Sequence, residues 1–122
     1  MRKLLILSII VFASSRNVFG SEADITVRIT SLAIIATHTP ANGHLADGNM
    51  EVKLRTAFVI PAGFTCTDNT FITTLRATDP DRAMLSLLLK AGIGPIIRLR
   101  ITDDAAKTAY PGRCSIQVVE IT

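Results

Sequence analysis

The chain contains no tryptophan, one tyrosine and five phenylalanines among its 122 residues. Its core must therefore be assembled from aliphatic side chains, with few large aromatic anchors. Cysteine is scarce as well, at two residues, Cys66 and Cys114. Without CxxC spacing or clustered histidines, a redox pair or a thiolate metal site is disfavoured. Catalytic signatures are missing too: there is no GxSxG or HExxH motif. The paired acids Asp79/Asp81 and Asp103/Asp104 fall at a helix start and in a turn-like segment, with no identifiable catalytic partner. The sequence thus points away from an enzyme, and no cofactor is called for.

Long apolar runs are limited to one, near the start. Arg2 and Lys3 precede Leu4 to Ala13, a stretch broken only by Ser8, and Val18-Phe19-Gly20 follows with a small residue at a suitable cleavage point. That layout is that of a secretory signal peptide, so residues 1–20 are expected to be removed and residues 21–122 to form a single domain. The run is about half of what a bilayer span needs, and no cysteine follows it for lipid attachment. No integral membrane anchor is expected after cleavage. The product is read as exported, either periplasmic or secreted.

The formal charge of the whole chain is +3, from thirteen Lys or Arg and ten Asp or Glu. Arg2, Lys3 and Arg16 lie in the segment expected to be removed, which leaves ten basic residues against ten acidic ones. A neutral mature chain gives no charge-driven attraction to nucleic acid or anionic membrane. In an oxidising compartment, Cys66 and Cys114 are expected to form one disulfide. Closing a loop of nearly half the mature chain would contribute about 4 kcal/mol in the chain-entropy description.

Alternation of apolar and polar residues marks the strands. Ile25, Val27 and Ile29 alternate with Thr26, Arg28 and Thr30, and Leu32 to Ala36 extends this strand or begins another. Residues 37–49 are polar and carry Pro40, Asn42-Gly43 and Asp47-Gly48, the signature of a long loop. Val52, Leu54, Phe58 and Ile60 then face one way and Glu51, Lys53 and Arg55 the other, predicting a strand that ends at Pro61. Further strands are predicted over residues 71–76, 96–102 and 115–121. Between the third and fourth, Asp79 is a suitable N-cap and Pro80 a suitable first helical residue, predicting a helix that Gly92 stops near Ala91.

Several strands, one helix and a final hairpin suggest a mainly β domain with one helix (α+β), best matched by an OB-like five-stranded Greek-key barrel. The alternative is an open antiparallel sheet with one packed helix. Cys66, the Leu- and Ala-rich segment from Arg82 to Ala91, the strand from Ile96 to Ile101, and Cys114 followed by Ile116 to Ile121 occur in a recognisable order. Over roughly residues 55–122 this order resembles small exported bacterial proteins of uncharacterised function. More distantly, it is similar to the B subunits of pentameric toxins of the subtilase-cytotoxin type. That resemblance implies an OB-type barrel, ring-shaped oligomers and glycan binding, but assigns no sugar-contacting residue.

Three sets of candidate residues follow from the pattern itself. Lys53 and Arg55 share one strand face and Arg98 and Arg100 another; if those strands are neighbours, they form a basic patch for a sugar acid or a partner's carboxylates, unless Glu51, Asp103 or Asp104 neutralises it. Apolar residues cover all of the helix except a stripe of Arg82, Ser86 and Lys90, more than one sheet can bury. Met84, Leu85 and Leu88 are accordingly candidates for an interface between copies of the chain. His38, His44 and Asp47 share the long loop, but their spacing fixes no metal geometry, so both histidines are read as solvated and no metal site is assigned. The expected function is an exported, disulfide-bonded binding module for a glycan or protein ligand. The alternative is a periplasmic inhibitor or immunity-type protein that blocks an enzyme through its loop.

Overall fold

A computed structural model describes residues 20–121. The signal-peptide reading of residues 1–20 therefore falls, except for Gly20, outside the described residues. Among the described residues five strands run in the order β1 (Glu22–Ile35), β2 (Asn49–Leu54), β3 (Asp68–Thr74), β4 (Ile96–Thr102) and β5 (Arg113–Glu120), with helix α1 (Ala83–Ala91) between β3 and β4. They close into a barrel with neighbours β1-β2-β3-β5-β4. This is the OB-like barrel; the open sheet is excluded because β4 pairs with β1 from Glu22↔Thr102 to Arg28↔Ile96.

One long strand makes closure possible. The first half of β1 pairs with β4, and the second half pairs with β2 from Ser31↔Lys53 to Ile35↔Asn49. An irregularity between Ile29 and Ser31 separates the halves, bending the strand so that it serves both neighbours. Every pairing is antiparallel except β3 with β5. A parallel pair needs a crossover, and α1 with β4 supplies it.

The alternation then sorts residues by side. Val27, Ile29, Met50, Val52, Leu54, Ile72, Ile97, Leu99, Ile101 and Ile116 fill the interior. Cys66 and Cys114 form a disulfide, buried in the same cluster, whose Cα atoms lie 5.2 Å apart. Leu88 of α1 also enters the core, with Met84, Leu85 and Ala91 partly buried against it. No helix among the described residues is long and apolar enough to cross a membrane.

Two boundaries differ from expectation. β2 ends at Leu54: the Arg55 N–H still donates to the Arg28 carbonyl of β1 at 2.8 Å, and the chain then bends away. Phe58 and Ile60 still reach the core, but from a loop. The helix begins at Ala83 rather than Pro80. Asp79 is the cap at longer range: its buried carboxylate accepts from Met84 N at 3.1 Å and Leu85 N at 3.3 Å. Residues 80–82 form a preceding turn, closed by Arg82 in the left-handed region (φ 57°) with its guanidinium on the Gly48 carbonyl at 2.8 Å. Gly92 ends the helix as expected, its N–H bonding Leu88 O.

Candidate functional site

The four basic residues do not form one patch. β1 lies between β2 and β4 in the barrel, which separates Lys53 and Arg55 from Arg98 and Arg100. Arg98 and Arg100 instead grip Asp24 of β1, at 2.8 Å and 2.9 Å respectively. Hydrogen bonds from Arg100 and then Arg98 hold the Asp24 pKa at about 2. With Val118 and Glu120 these three residues line a shallow cavity of about 220 Å³. The neutralising acid is thus Asp24, in place of Glu51, Asp103 or Asp104.

Lys53 faces outward on β2, its ammonium 5.8 Å from the Phe71 ring centroid. Phe71 belongs to a denser group on the outside of β2, β3 and β5. Arg113, one residue before the inward Cys114, has its guanidinium carbon 4.3 Å from the Phe71 centroid and 3.7 Å from that of Tyr110. Its Nη1 donates to Glu51 Oε1 at 2.6 Å, and its Nε lies 3.4 Å from Asp68 Oδ2. Burial pushes the Asp68 carboxyl up, but hydrogen bonds from Thr70 and Phe71 and the nearby Arg113 charge outweigh it, and the net shift is downward.

His44 completes this group and corrects the expectation that both histidines are solvated. Its side chain is 3% exposed, Nε2 lies 3.6 Å from Glu51 Oε1, and the ring meets Tyr110 edge-on at 5.1 Å. His38 is exposed and turns away: its Nδ1 is 2.5 Å from Asp47 Oδ1. The two histidines therefore serve different carboxylates. Among the described residues no group of three or more His, Cys, Asp or Glu is placed to hold a metal ion.

Together the β1–β2 loop (residues 36–48) and the β4–β5 connection (residues 103–112) roof part of this face. Leu45 N and Asn49 Nδ2 both donate to the Ala109 carbonyl, at 3.1 Å and 3.0 Å. Gly43 packs on Tyr110 with φ +75°, and a Cβ there would sit 2.8 Å from the ring. Beneath the roof, Thr73 stands opposite Glu51 on one side and Ser115 on the other. Asn49, Thr73 and Ser115 point outward yet are buried, which leaves a polar layer between barrel and loops. Five buried side-chain atoms lack hydrogen-bond partners among the described residues: His44 Nδ1, Asn49 Oδ1, Thr73 Oγ1, Thr74 Oγ1 and Arg113 Nε. All but Thr74 belong to this layer.

The helix residues divide differently from the sequence reading. Leu88 is 1% exposed and belongs to the core, with Met84 and Leu85 partly buried beside it. The large apolar residues that α1 and its C-terminal turn leave exposed are Leu87, Leu89 and Ile93. Leu89 and Ile93 border an apolar groove of about 320 Å³, closed by Ile29, Leu32, Leu88 and Gly92.

Strand parity could have found Arg113 and Glu51, since their neighbours Cys114 and Val52 point inward. No sequence signal joins His44 to Tyr110, because two separate loops meet there. Comparison of the chain with known protein families, curated proteins and solved structures yields no match.

Proposed function

We propose that the chain is an exported, non-catalytic binding module that takes a glycan or protein ligand on the outer face of β2, β3 and β5, between its two roofing loops. The carrying observation is the concentration there of four of the five buried polar atoms that lack a hydrogen bond among the described residues, around two aromatic rings and one guanidinium. Three of them, His44 Nδ1, Asn49 Oδ1 and Thr73 Oγ1, are without an ion pair either. A buried polar atom without a partner costs free energy. A ligand rich in hydroxyls or amides would supply the missing partners once the roof shifts. OB-type barrels generally bind on the strand 2–3 face flanked by these same two loops, which supports the choice of face as a fold-level analogy. The disulfide and the absence of a spanning helix among the described residues are compatible with export.

A glycan array and an affinity pull-down with the oxidised chain test this reading. Phe71→Ala and Thr73→Val should each weaken binding at least about tenfold, the worth of one or two lost polar or stacking contacts. Arg98→Ala should not. Binding that depends on Arg98 and is indifferent to Phe71 would move the site to the Asp24 cavity.

One observation favours a second reading, an inhibitor acting through residues 36–48. That loop is held rigid from within: Asn42 accepts from Thr39 N and His44 N and donates to the Thr37 carbonyl, while Asp47 accepts from His38 N at 2.8 Å. A preorganised, exposed loop loses little entropy on entering an enzyme cleft. Pull-down of an enzyme whose activity falls on addition of the chain would select this reading over glycan binding.

A further inference from the structure

Asp103 is a half-buried carboxylate that forms no salt bridge among the described residues, at the junction of three segments. Its Oδ1 accepts from Ser21 N at 2.6 Å, and its Oδ2 accepts from Thr65 N at 2.8 Å and Thr65 Oγ1 at 3.2 Å. The Asp103 N–H returns a bond to the Ser21 carbonyl at 3.3 Å. Burial works against ionisation of Asp103, yet the bonds from Ser21 and Thr65 prevail and hold its carboxyl below the usual range. A carboxylate so held, with Asp104 adjacent, lacks only a cation.

Gly20 has φ +71°, and a Cβ on it would lie 2.7 Å from Asp104 N and 2.9 Å from Asp103 Oδ1. The chain therefore passes against the Asp103–Asp104 backbone at this point, where only glycine fits. In the sequence, Gly20 is the small residue that closes Val18-Phe19-Gly20, the expected cleavage point.

We propose that Asp103 is the docking site for a new amino terminus: proteolytic removal of residues 1–20 frees the α-ammonium of Ser21, which forms an ion pair with Asp103. Hydrolysis of the Gly20–Ser21 peptide bond consumes one water and leaves a carboxylate on Gly20 and an amine on Ser21. The amine is protonated below about pH 8. The amide donor 2.6 Å from the Asp103 carboxylate thus becomes a cation, which adds an ion pair to a hydrogen bond that the acceptor's charge already strengthens. Processing fastens the start of β1 to the end of β4 and to the segment beside Cys66. The inference rests on the export reading of residues 1–20.

The full chain is expressed in a secreting host, and the exported product is sequenced from its N-terminus and weighed intact. The expected product begins at Ser21. An exported product beginning elsewhere overturns the inference and leaves export standing; an uncut, retained chain overturns both. The thermal midpoint of the Ser21 form is then compared with that of a chain retaining Phe19-Gly20, each with and without Asp103→Asn. The Ser21 form should melt about 3–6 °C higher, and Asp103→Asn should reduce that gap to under about 1 °C. An equal effect of Asp103→Asn in both forms would make it a purely local structural residue and sink the proposal. If Asp103→Asn does not fold, salt decides: at about 1 M the gap should fall by more than half, and a salt-independent gap counts against an ion pair.

Discussion

The Arg113 guanidinium lies 3.7 Å from the centre of the Tyr110 ring, with Phe71 4.3 Å away and Glu51 bound at 2.6 Å. One side chain thereby joins β5 to β2, to β3 and to the β4–β5 connection. Its replacement separates packing from charge. Arg113→Ala takes the guanidinium from both Glu51 and Asp68, leaving the partly buried Glu51 with only His44 at 3.6 Å, and should destabilise the fold by about 3 kcal/mol, read from the denaturant midpoint. Arg113→Lys keeps the charge but loses the planar surface that stacks on the rings, and should still cost about 1–2 kcal/mol. A lysine variant as stable as the parent would show that the stacking contributes nothing.

Gly43 and Tyr110 hold the two loops together, so Gly43→Ala should act through that contact. The substitution meets an unfavourable φ and a ring atom 2.8 Å away, with an expected cost of about 1–3 kcal/mol. In a Tyr110→Ala background the steric part disappears and the cost should fall by about half. A double-mutant cycle by chemical denaturation measures the difference.

Asp24 gives the protein an acid-sensitive contact. Its folded pKa of about 2 lies below the ordinary 3.8, with hydrogen bonds from Arg100 and Arg98 as the cause. The depressed value means that ionised Asp24 favours the folded state: the contribution is complete above about pH 4 and is lost as pH falls toward 2. Carboxyl NMR titration should place Asp24 among the lowest midpoints in the chain. In Asp24→Asn, the acid destabilisation in this window should shrink by the share of Asp24, leaving that of Asp47, Asp68 and Asp103, whose carboxyls are also held below the usual value.

The barrel was legible because inward residues of β2 and β4 alternate with outward ones, and because Gly92 and the cysteines stand where a small barrel needs them; β5 breaks the alternation, with Ile116 and Val119 inward on either side of an irregularity. Phe58 misled the boundary of β2, since its burial comes from a loop that folds back and not from a strand. Asp79 misled the helix start because its carboxylate reaches past a turn to Met84 and Leu85. The candidate site was largely hidden. His44 is far in sequence from Tyr110 and Arg113, and its meeting with them depends on the mutual packing of two loops, which no local pattern encodes. Arg98 and Arg100 were visible as a pair, but Asp24, the residue that neutralises them, is fixed by the β1–β4 register.

The disulfide should be a principal staple of this aliphatic core. Cys66 and Cys114 are 48 residues apart in sequence, and removing such a crosslink costs about 4 kcal/mol in the chain-entropy description. The oxidised chain should show no free thiol under denaturing, non-reducing conditions. Cys66→Ser with Cys114→Ser should lower the denaturant midpoint accordingly, and a shift equivalent to less than about 1 kcal/mol would mean that the closed loop is already restrained in the unfolded chain.

Adjacent leucines on α1 should behave in opposite ways. Leu88 is 1% exposed and packs in the core, whereas Leu89 is 64% exposed at the edge of an apolar groove. Leu88→Ala removes three carbons from a close-packed interior and leaves a cavity, so about 2–5 kcal/mol of stability should be lost. Leu89→Ser surrenders little burial and only a modest helix preference, so its cost should stay under about 1 kcal/mol. Urea titrations of both variants check the contrast, and equal losses would show that Leu89 is covered in solution. Native mass measurement of Leu89→Ser then identifies the cover: a fall to the monomer mass means that a second copy of the chain supplies it, which would move the interface from Met84, Leu85 and Leu88 to the outward residues beside them.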